Sequence, residues 1–407
     1  MIYLKKLPER QKDPETCCPS VKKGNVYINP WPSATHRKAT YRGLLSKRLS
    51  GYFTSSLTAK EKNLSLMVDL DLMAIKDYHK DEKNIAMQLT WLGHSAFLLQ
   101  INTFTILFDP FLSKRASPLN FIGPYRCRDR GFKSFSELPP IDFIILSHNH
   151  YDHLDKATIK EIYAEEQNKQ HTHIFCPLDL KAWFVGLGIP ENQVTECDWW
   201  DDYEALRLLP NAMTITNEEA LSEALSESSH KKITISAVPA QHFSGRTGLD
   251  FNETLWVGWV VKSQEASYYF VGDTGYRSIP DDCPEDEIEK YPFCPVFKQI
   301  GNIYGPFDIA TIPIGPFTPA NRMTPIHTTV NDAVNIHIDC KSKRSIPMHW
   351  GTVENLGIDE IERGPTELLE ELKKRNIPQD EFHEIYIGKV VKIEKEKEEK
   401  KKKKIEK

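Results

Sequence analysis

The stretch ELPPIDFIILSHNHYDHLD, Glu137–Asp155, decides the reading of this chain. Phe143–Leu146 is a short apolar run, the mark of a strand buried on both faces. Directly after it come His148, Asn149, His150, Tyr151, Asp152 and His153. Three imidazoles and a carboxylate in six residues are costly as plain structure, because buried titratable groups need partners and crowded like groups repel. A divalent cation resolves that conflict, since neutral imidazole and carboxylate are its natural ligands. On an extended strand end His148 and His150 project to one side. Asp152 and His153 follow the turn, where they can serve a second, adjacent ion.

Working outward, later strand ends offer further ligands: His242 after ISAVPAQ, Asp273 after YYFVG, and His349 after RSIPM. Each follows an apolar run and precedes small or turn residues. Singly, each is an ordinary strand-end residue; beside the cluster they complete a second ligand set. His94, in WLGHSAF, reads as a core histidine or one that orients a ligand from behind. Arg115, in SKRASP, reads equally as an ion-pair partner or a phosphate contact.

The surrounding pattern is α/β. Leu89–Leu92, Ala96–Ile101, Phe104–Phe108, Ile233–Val238, Leu255–Val261, Tyr268–Val271, Ile309–Ile314 and Arg344–Met348 read as strands. Lys156–Glu166, Leu180–Leu187, Val330–Ile338 and Glu367–Arg375 read as helices. Asp155 caps the first of these, and Thr329 with Asp332 forms a capping box before Val330. The expected fold class is layered α/β, two mixed β-sheets with helices outside.

The chain is expected to divide into an N-terminal basic and aromatic arm (1–84), a catalytic domain (85–391) and a disordered tail (392–407) holding nine Lys and five Glu. Within the domain, the acidic, Ser-rich stretch at about 201–230 reads as an inserted surface loop. Asn29–Phe53 mixes Trp31, Tyr41, Tyr52 and Phe53 with cations, and Leu45 and Leu49 flank Lys47 and Arg48 as in a basic amphipathic helix. It is either a membrane-surface contact or an arm packed across the domain.

With 407 residues, 40% of them hydrophobic, the chain can bury a large core. Its net charge of −5 lacks the basic face that nucleic-acid binding needs. No run is long and apolar enough to span a bilayer, and the first residues lack the apolar stretch of a secretory signal. The expected location is intracellular, cytoplasmic or peripheral on a membrane face. Eight cysteines without a CxxC pair read as reduced thiols, with the adjacent Cys17 and Cys18 open to a lipid anchor as the alternative.

HNHYDH resembles the HxHxDH motif of the metallo-β-lactamase superfamily. That resemblance implies an αββα sandwich with two zinc ions per chain at one edge. His148, His150 and His242 would hold one ion, Asp152, His153 and His349 the other, and Asp273 would bridge. The runs NPWP (Asn29–Pro32), TWLGHSAFLL (Thr90–Leu99), DPFLSKRASP (Asp109–Pro118), DWW (Asp198–Trp200), GDTGY (Gly272–Tyr276), GPFDIATIPIG (Gly305–Gly315) and HWGT (His349–Thr352) are similar to the family of phospholipases D that hydrolyse N-acylphosphatidylethanolamine. The resemblance then implies a binuclear zinc phosphodiesterase releasing an N-acylethanolamine and phosphatidic acid, with water activated by the metal pair attacking phosphorus. No separate nucleophilic side chain is required, in keeping with the absence of a G-x-S-x-G elbow. Tyr151 and His327 would contact substrate, and Asp152 and His327 would carry catalytic roles. The implied partner is a membrane phospholipid, with peripheral association, a homodimer also being compatible.

Two other functions compete: a soluble hydrolase of the same fold acting on a small ester, lactone or phosphodiester, and a zinc-bearing scaffold without turnover. Three departures from the family pattern bear on substrate. Phe243 follows His242 where Trp is expected, the stretch after DWW is longer and more acidic, and residues 277–301 are extended.

Overall fold

The computed structural model describes residues 2–34, 66–80, 84–119, 121–208 and 231–395. Two seven-stranded sheets stack face to face. One runs, in spatial order, Val194–Cys197, His173–Pro177, Phe143–Ile145, Phe104–Phe108, Ala96–Ile101, Ile85–Gly93 and Val390–Glu394. Its first four strands are parallel and the rest antiparallel. The other runs Ile2–Lys6, Asp202–Arg207, Lys232–Val238, Gly258–Lys262, Ser267–Phe270, Ile309–Pro313 and Ser345–Met348, antiparallel except for its last two pairings. Both sheets are therefore mixed, as expected.

The period-2 geometry of a strand explains why these segments read as continuous apolar runs. Phe97, Leu99, Phe104, Ile106, Phe108, Phe143 and Ile145 point into the space between the sheets. Their alternates Leu98, Leu107 and Ile144 point outward, where Ile159 and Ile162 of the helix Lys156–Ala164 cover them. Aromatic pairs cross the gap: Phe108 meets Tyr268 and Phe270 with ring centroids 5.2 and 5.0 Å apart, and Phe175 meets Trp259 at 6.2 Å. Helices Val296–Ile303, Val330–Asp339 and Arg363–Lys374 cover the second sheet's outer face. The architecture is an αββα sandwich.

Several expected boundaries shift. The strand Val390–Glu394 pairs with Ile85–Gly93, so the domain runs past residue 391 into the Lys/Glu-rich segment; its alternation places Val391 and Ile393 on the core. The rest of the tail, 396–407, lies outside the described residues. Asp202–Arg207 is a sheet strand rather than part of a surface insertion. Its acidic start is neutralised from the N-terminal arm, Lys6 lying 2.9 Å from Asp201 and Arg10 2.9 Å from Asp202. The remainder of that acidic stretch, 209–230, lies outside the described residues.

The arm contributes a strand of its own, Ile2–Lys6, at the sheet edge. Trp31 stacks on Trp199 at 5.4 Å and Ser33 donates to Gln241 at 2.6 Å, so the start of NPWP is packed across the domain. Arg42, Leu45, Lys47, Arg48 and Leu49 lie outside the described residues. Cys17 and Cys18 are buried, which leaves neither thiol presented for a lipid chain, and all eight cysteines are free.

Leu255–Val257 precede rather than join their strand. Their amides bond the opposite sheet's end, Leu255 to Leu178 and Val257 to Ser147, and the Gly258–Lys262 strand begins after them. Thr329 accepts from the Asp332 amide as expected, and the Asp332 carboxylate also pairs with Arg277 at 2.8 Å. Among the described residues no helix is long and apolar enough to cross a membrane.

Candidate metal centre

Strand ends build the site. Asp109 follows the Phe104–Phe108 strand, His148 follows Phe143–Ile145, Asp273 follows Ser267–Phe270 and His349 follows Ser345–Met348. His242 comes down from Lys232–Val238, and His94 sits in the turn joining Ile85–Gly93 to Ala96–Ile101. These ends share one edge of the sandwich, and the side chains converge there.

His148 Nε2 lies 2.8 Å from His150 Nδ1, which lies 3.4 Å from His242 Nε2. His349 Nε2 and His153 Nε2 lie 3.0 and 3.1 Å from Asp273 Oδ2, and 3.5 and 3.7 Å from Asp152 Oδ2. His242 Nε2 is 3.8 Å from the same Asp273 oxygen, which places Asp273 between the two groups. All seven expected ligands meet.

The far ring nitrogens are fixed from behind. His242 Nδ1 donates to the Ile326 carbonyl at 2.7 Å, and His349 Nδ1 to the Gly315 carbonyl at 3.0 Å. His153 Nδ1 donates to Asp109 at 2.7 Å. Ser147 donates its hydroxyl to Asp109 and accepts from His148 Nδ1 at 2.8 Å. Each of these histidines is thereby oriented with Nε2 towards the centre, the nitrogen left to ligate a metal once the ring is neutral. Yet His153 Nε2, His349 Nε2 and Asp273 Oδ1 are buried with no hydrogen-bond partner. Imidazole nitrogens and carboxylate oxygens packed this closely need either protons or a cation among them, and a cation is the group that satisfies them together. The donor set, nitrogen and oxygen without sulfur, fits zinc, iron or manganese.

Electrostatics agree. Burial, reinforced by neighbouring histidines, holds His148 well below the ordinary imidazole value, His150 at about 3 and His242 at about 4. Burial also pulls on His153 and His349, but the Asp273 and Asp152 carboxylates outweigh it, holding His153 well above its ordinary value and His349 at about 9. Burial opposes the charge on those carboxylates, and the histidines outweigh it, His153 foremost, keeping both well below the usual range. Protons on His153 and His349 thus balance two buried carboxylates, a task that bound cations take over as they displace those protons.

Three residues here hold left-handed backbone, which costs strain in a non-glycine residue: His94 at φ 55°, Asp109 at φ 36° and His349 at φ 64°. His94 is the orienting histidine, its Nε2 3.0 Å from Asp152 Oδ2. Tyr151 lies under the Arg246 guanidinium, which stands 3.9 Å from its ring centroid. His327 joins the centre, Nδ1 lying 4.0 Å from Asp273 Oδ2 without a hydrogen-bond partner. Arg115 stacks on Tyr125 at 5.2 Å and donates to the Gly123 carbonyl, a structural role. Sequence reasoning missed Asp109, although DPF directly after an apolar strand is the same strand-end signal that singled out the candidate ligands. It also missed Arg246 and the Ile326 and Gly315 carbonyls, for which no local pattern exists.

A cleft of about 80 Å³ opens beside His94 and His349, lined by Pro316, Phe317, Trp350 and Leu356 among others.

The family model described as the beta-lactamase superfamily domain matches residues 105–350. The chain is 33% identical over 341 residues to N-acyl-phosphatidylethanolamine-hydrolyzing phospholipase D 1 of Caenorhabditis elegans, covering 82% of this chain and 83% of that one. It is 29% identical over 265 residues to the mitochondrial N-acyl-phosphatidylethanolamine-hydrolyzing phospholipase D of Saccharomyces cerevisiae, 65% of this chain but 47% of the yeast protein. In fold it is similar to isothiocyanate hydrolase from Delia radicum gut bacteria, with a TM-score of 0.50, 15% identity, and coverage of 76% of this chain and 100% of that one. With the strand-end cluster in place at the sheet edge, these matches establish that the chain belongs to the metallo-β-lactamase superfamily and is a metal-dependent hydrolase.

Proposed function

We propose that the protein is a binuclear zinc phosphodiesterase that hydrolyses N-acylphosphatidylethanolamine to an N-acylethanolamine and phosphatidic acid. In this reading His148, His150 and His242 would hold one ion and Asp152, His153 and His349 the other, with Asp273 available to both. The observation that carries the metal reading is the convergence of unpartnered, buried Nε2 and carboxylate atoms on one point. The relatives' named activity supports the choice of lipid.

A bound metal pair of this kind lowers the pKa of water towards neutrality and offsets charge developing on a phosphoryl oxygen. The chain's own residues arrange the rest. Asp152, braced by His94, accepts a hydrogen bond from an attacking water and orients it. His327 presents Nδ1 to the substrate phosphate or its leaving group. Tyr151, fixed under Arg246, offers its hydroxyl to the substrate from the motif itself. Phe243 packs on the His150 ring at 4.3 Å and keeps water from that side. Access to such a lipid requires the enzyme to sit peripherally on a membrane face.

The second reading is a soluble ester, lactone or phosphodiester as substrate, and the small volume of the cleft beside His349 favours it. The test is metal analysis of the purified protein together with turnover on N-acylphosphatidylethanolamine vesicles, lactones and bis-p-nitrophenyl phosphate. Release of phosphatidic acid, lost in His150→Ala with the fold retained, is the expected result. Turnover of lactones alone would replace the lipid reading, and no turnover by either protein would favour a scaffold.

A further inference from the structure

The segment Phe243–Asn252 leaves the metal centre, turns through solvent and returns as a closed loop. The Ser244 and Asn252 backbones join across its neck, and the Asn252 side chain accepts from the Ser244 amide at 3.1 Å and donates to the Tyr27 carbonyl at 3.1 Å. Inside it, Asp250 accepts from the Arg246 and Thr247 amides and from the Thr247 hydroxyl. The loop is also bound to the ligand motif. Gly245 donates to the Asn149 side chain at 2.7 Å, and the Arg246 guanidinium donates to the Asn149 and Leu154 carbonyls at 2.7 and 2.8 Å.

A loop so thoroughly pinned nevertheless presents apolar side chains to water. Leu249 at its apex is 91% exposed and Phe251 47%. Phe251 packs on Phe243 at 5.7 Å, and Phe243 on His150, so the apolar surface is continuous from the loop tip to the metal centre. Trp183 adjoins it, its ring 5.3 Å from the Arg246 guanidinium, and Val185 on the same helix is 41% exposed. Among the described residues nothing covers this rim. Rigid backbone with exposed Leu and Phe is what an interfacial contact requires, because ordering is already complete and only apolar transfer remains.

We propose that the Phe243–Asn252 loop, with Leu249 and Phe251 at its tip, is the edge by which this enzyme rests on a phospholipid surface. It sets the metal centre at the interface through the Phe251–Phe243–His150 contacts. The inference rests on the lipid reading above for its occupant: a substrate drawn from a bilayer needs apolar surface at the mouth of the site, and this surface reaches the centre through Phe251, Phe243 and His150.

The experiment uses the full chain with metal bound, and phosphatidylcholine vesicles with and without N-acylphosphatidylethanolamine. Leu249→Asp, at the loop apex and away from the Phe243–His150 contact, should weaken vesicle co-sedimentation by about tenfold or more, since an exposed apolar side chain no longer transfers out of water. Leu249→Trp should retain it. Metal content and turnover of soluble bis-p-nitrophenyl phosphate should not change, which separates lost docking from a damaged centre. Vesicle binding unaltered within about twofold overturns the proposal. So does a change in oligomeric mass without a change in vesicle binding, which would assign the rim to a second copy of the chain. Because binding is read without turnover, an enzyme that docks but does not cleave the lipid fails the substrate reading alone.

Discussion

Asp109 receives the Nδ1 proton of His153 at 2.7 Å, both side chains wholly buried, and the same carboxylate accepts the Ser147 hydroxyl that steadies His148. One acid behind the centre therefore sets the tautomer of a histidine in each of the two proposed ligand groups.

Asp109→Asn keeps the shape and tolerates the left-handed backbone, but replaces one acceptor oxygen by a donor. Metal affinity, measured by chelator competition, should fall about 10–100-fold with the far-UV spectrum unchanged. Unaltered affinity would show that the Asp109–His153 contact does not orient a ligand.

Tyr151→Phe retains the ring beneath Arg246 and removes only the hydroxyl. If that hydroxyl meets substrate, hydrolysis of a phosphodiester should drop about tenfold or more while metal content holds. His327→Gln should behave likewise, because its Nδ1 is unpartnered and faces the centre. Loss of metal in either variant would instead make the residue part of the ligand cage.

Gly275, in GDTGY, approaches the chain so closely that a Cβ there would stand 2.5 Å from the Pro325 backbone. The adjoining Ile326 carbonyl holds His242. Gly275→Ala should therefore cost about 1–3 kcal/mol, read as a lower midpoint in denaturant. It should also weaken metal binding by displacing that carbonyl. A variant as stable as the parent would contradict the packing.

Away from the centre, burial lowers His337 to about 4, and its near neighbours are the Ser345 hydroxyl at 2.8 Å and Glu381 at 3.7 Å. Its folded value lies below its unfolded one, so the unfolded chain binds the extra proton between them. The stability this histidine contributes is present above pH 6.5 and lost as pH falls towards 4, approaching about 1.4 kcal/mol per pH unit. Urea titrations of parent and His337→Gln across that interval test it. The variant should lose stability less steeply, and equal slopes would refute the assignment.

Much of this was legible in one dimension because a strand alternates and a metal ligand is a rare residue in a fixed place. Strands buried on both faces, from Ala96–Ile101 to Phe143–Ile145, announce themselves as apolar runs, and a histidine or aspartate at the end of such a run stands out. The ligand set, the α/β layering and the helix capped by Asp155 follow from local spacing and composition. Tertiary structure decided what depends on partners distant in the chain. Asp202–Arg207 reads as an acidic insertion until Lys6 and Arg10 neutralise it, and Lys392–Glu394 reads as solvated tail until the strand Val390–Glu394 meets Ile85–Gly93. The tautomers of His242 and His349 are set by the carbonyls of Ile326 and Gly315, groups that every residue carries and no sequence distinguishes. Leu249 is an ordinary leucine until the closed neck at Ser244 and Asn252 holds it out in water beside the centre.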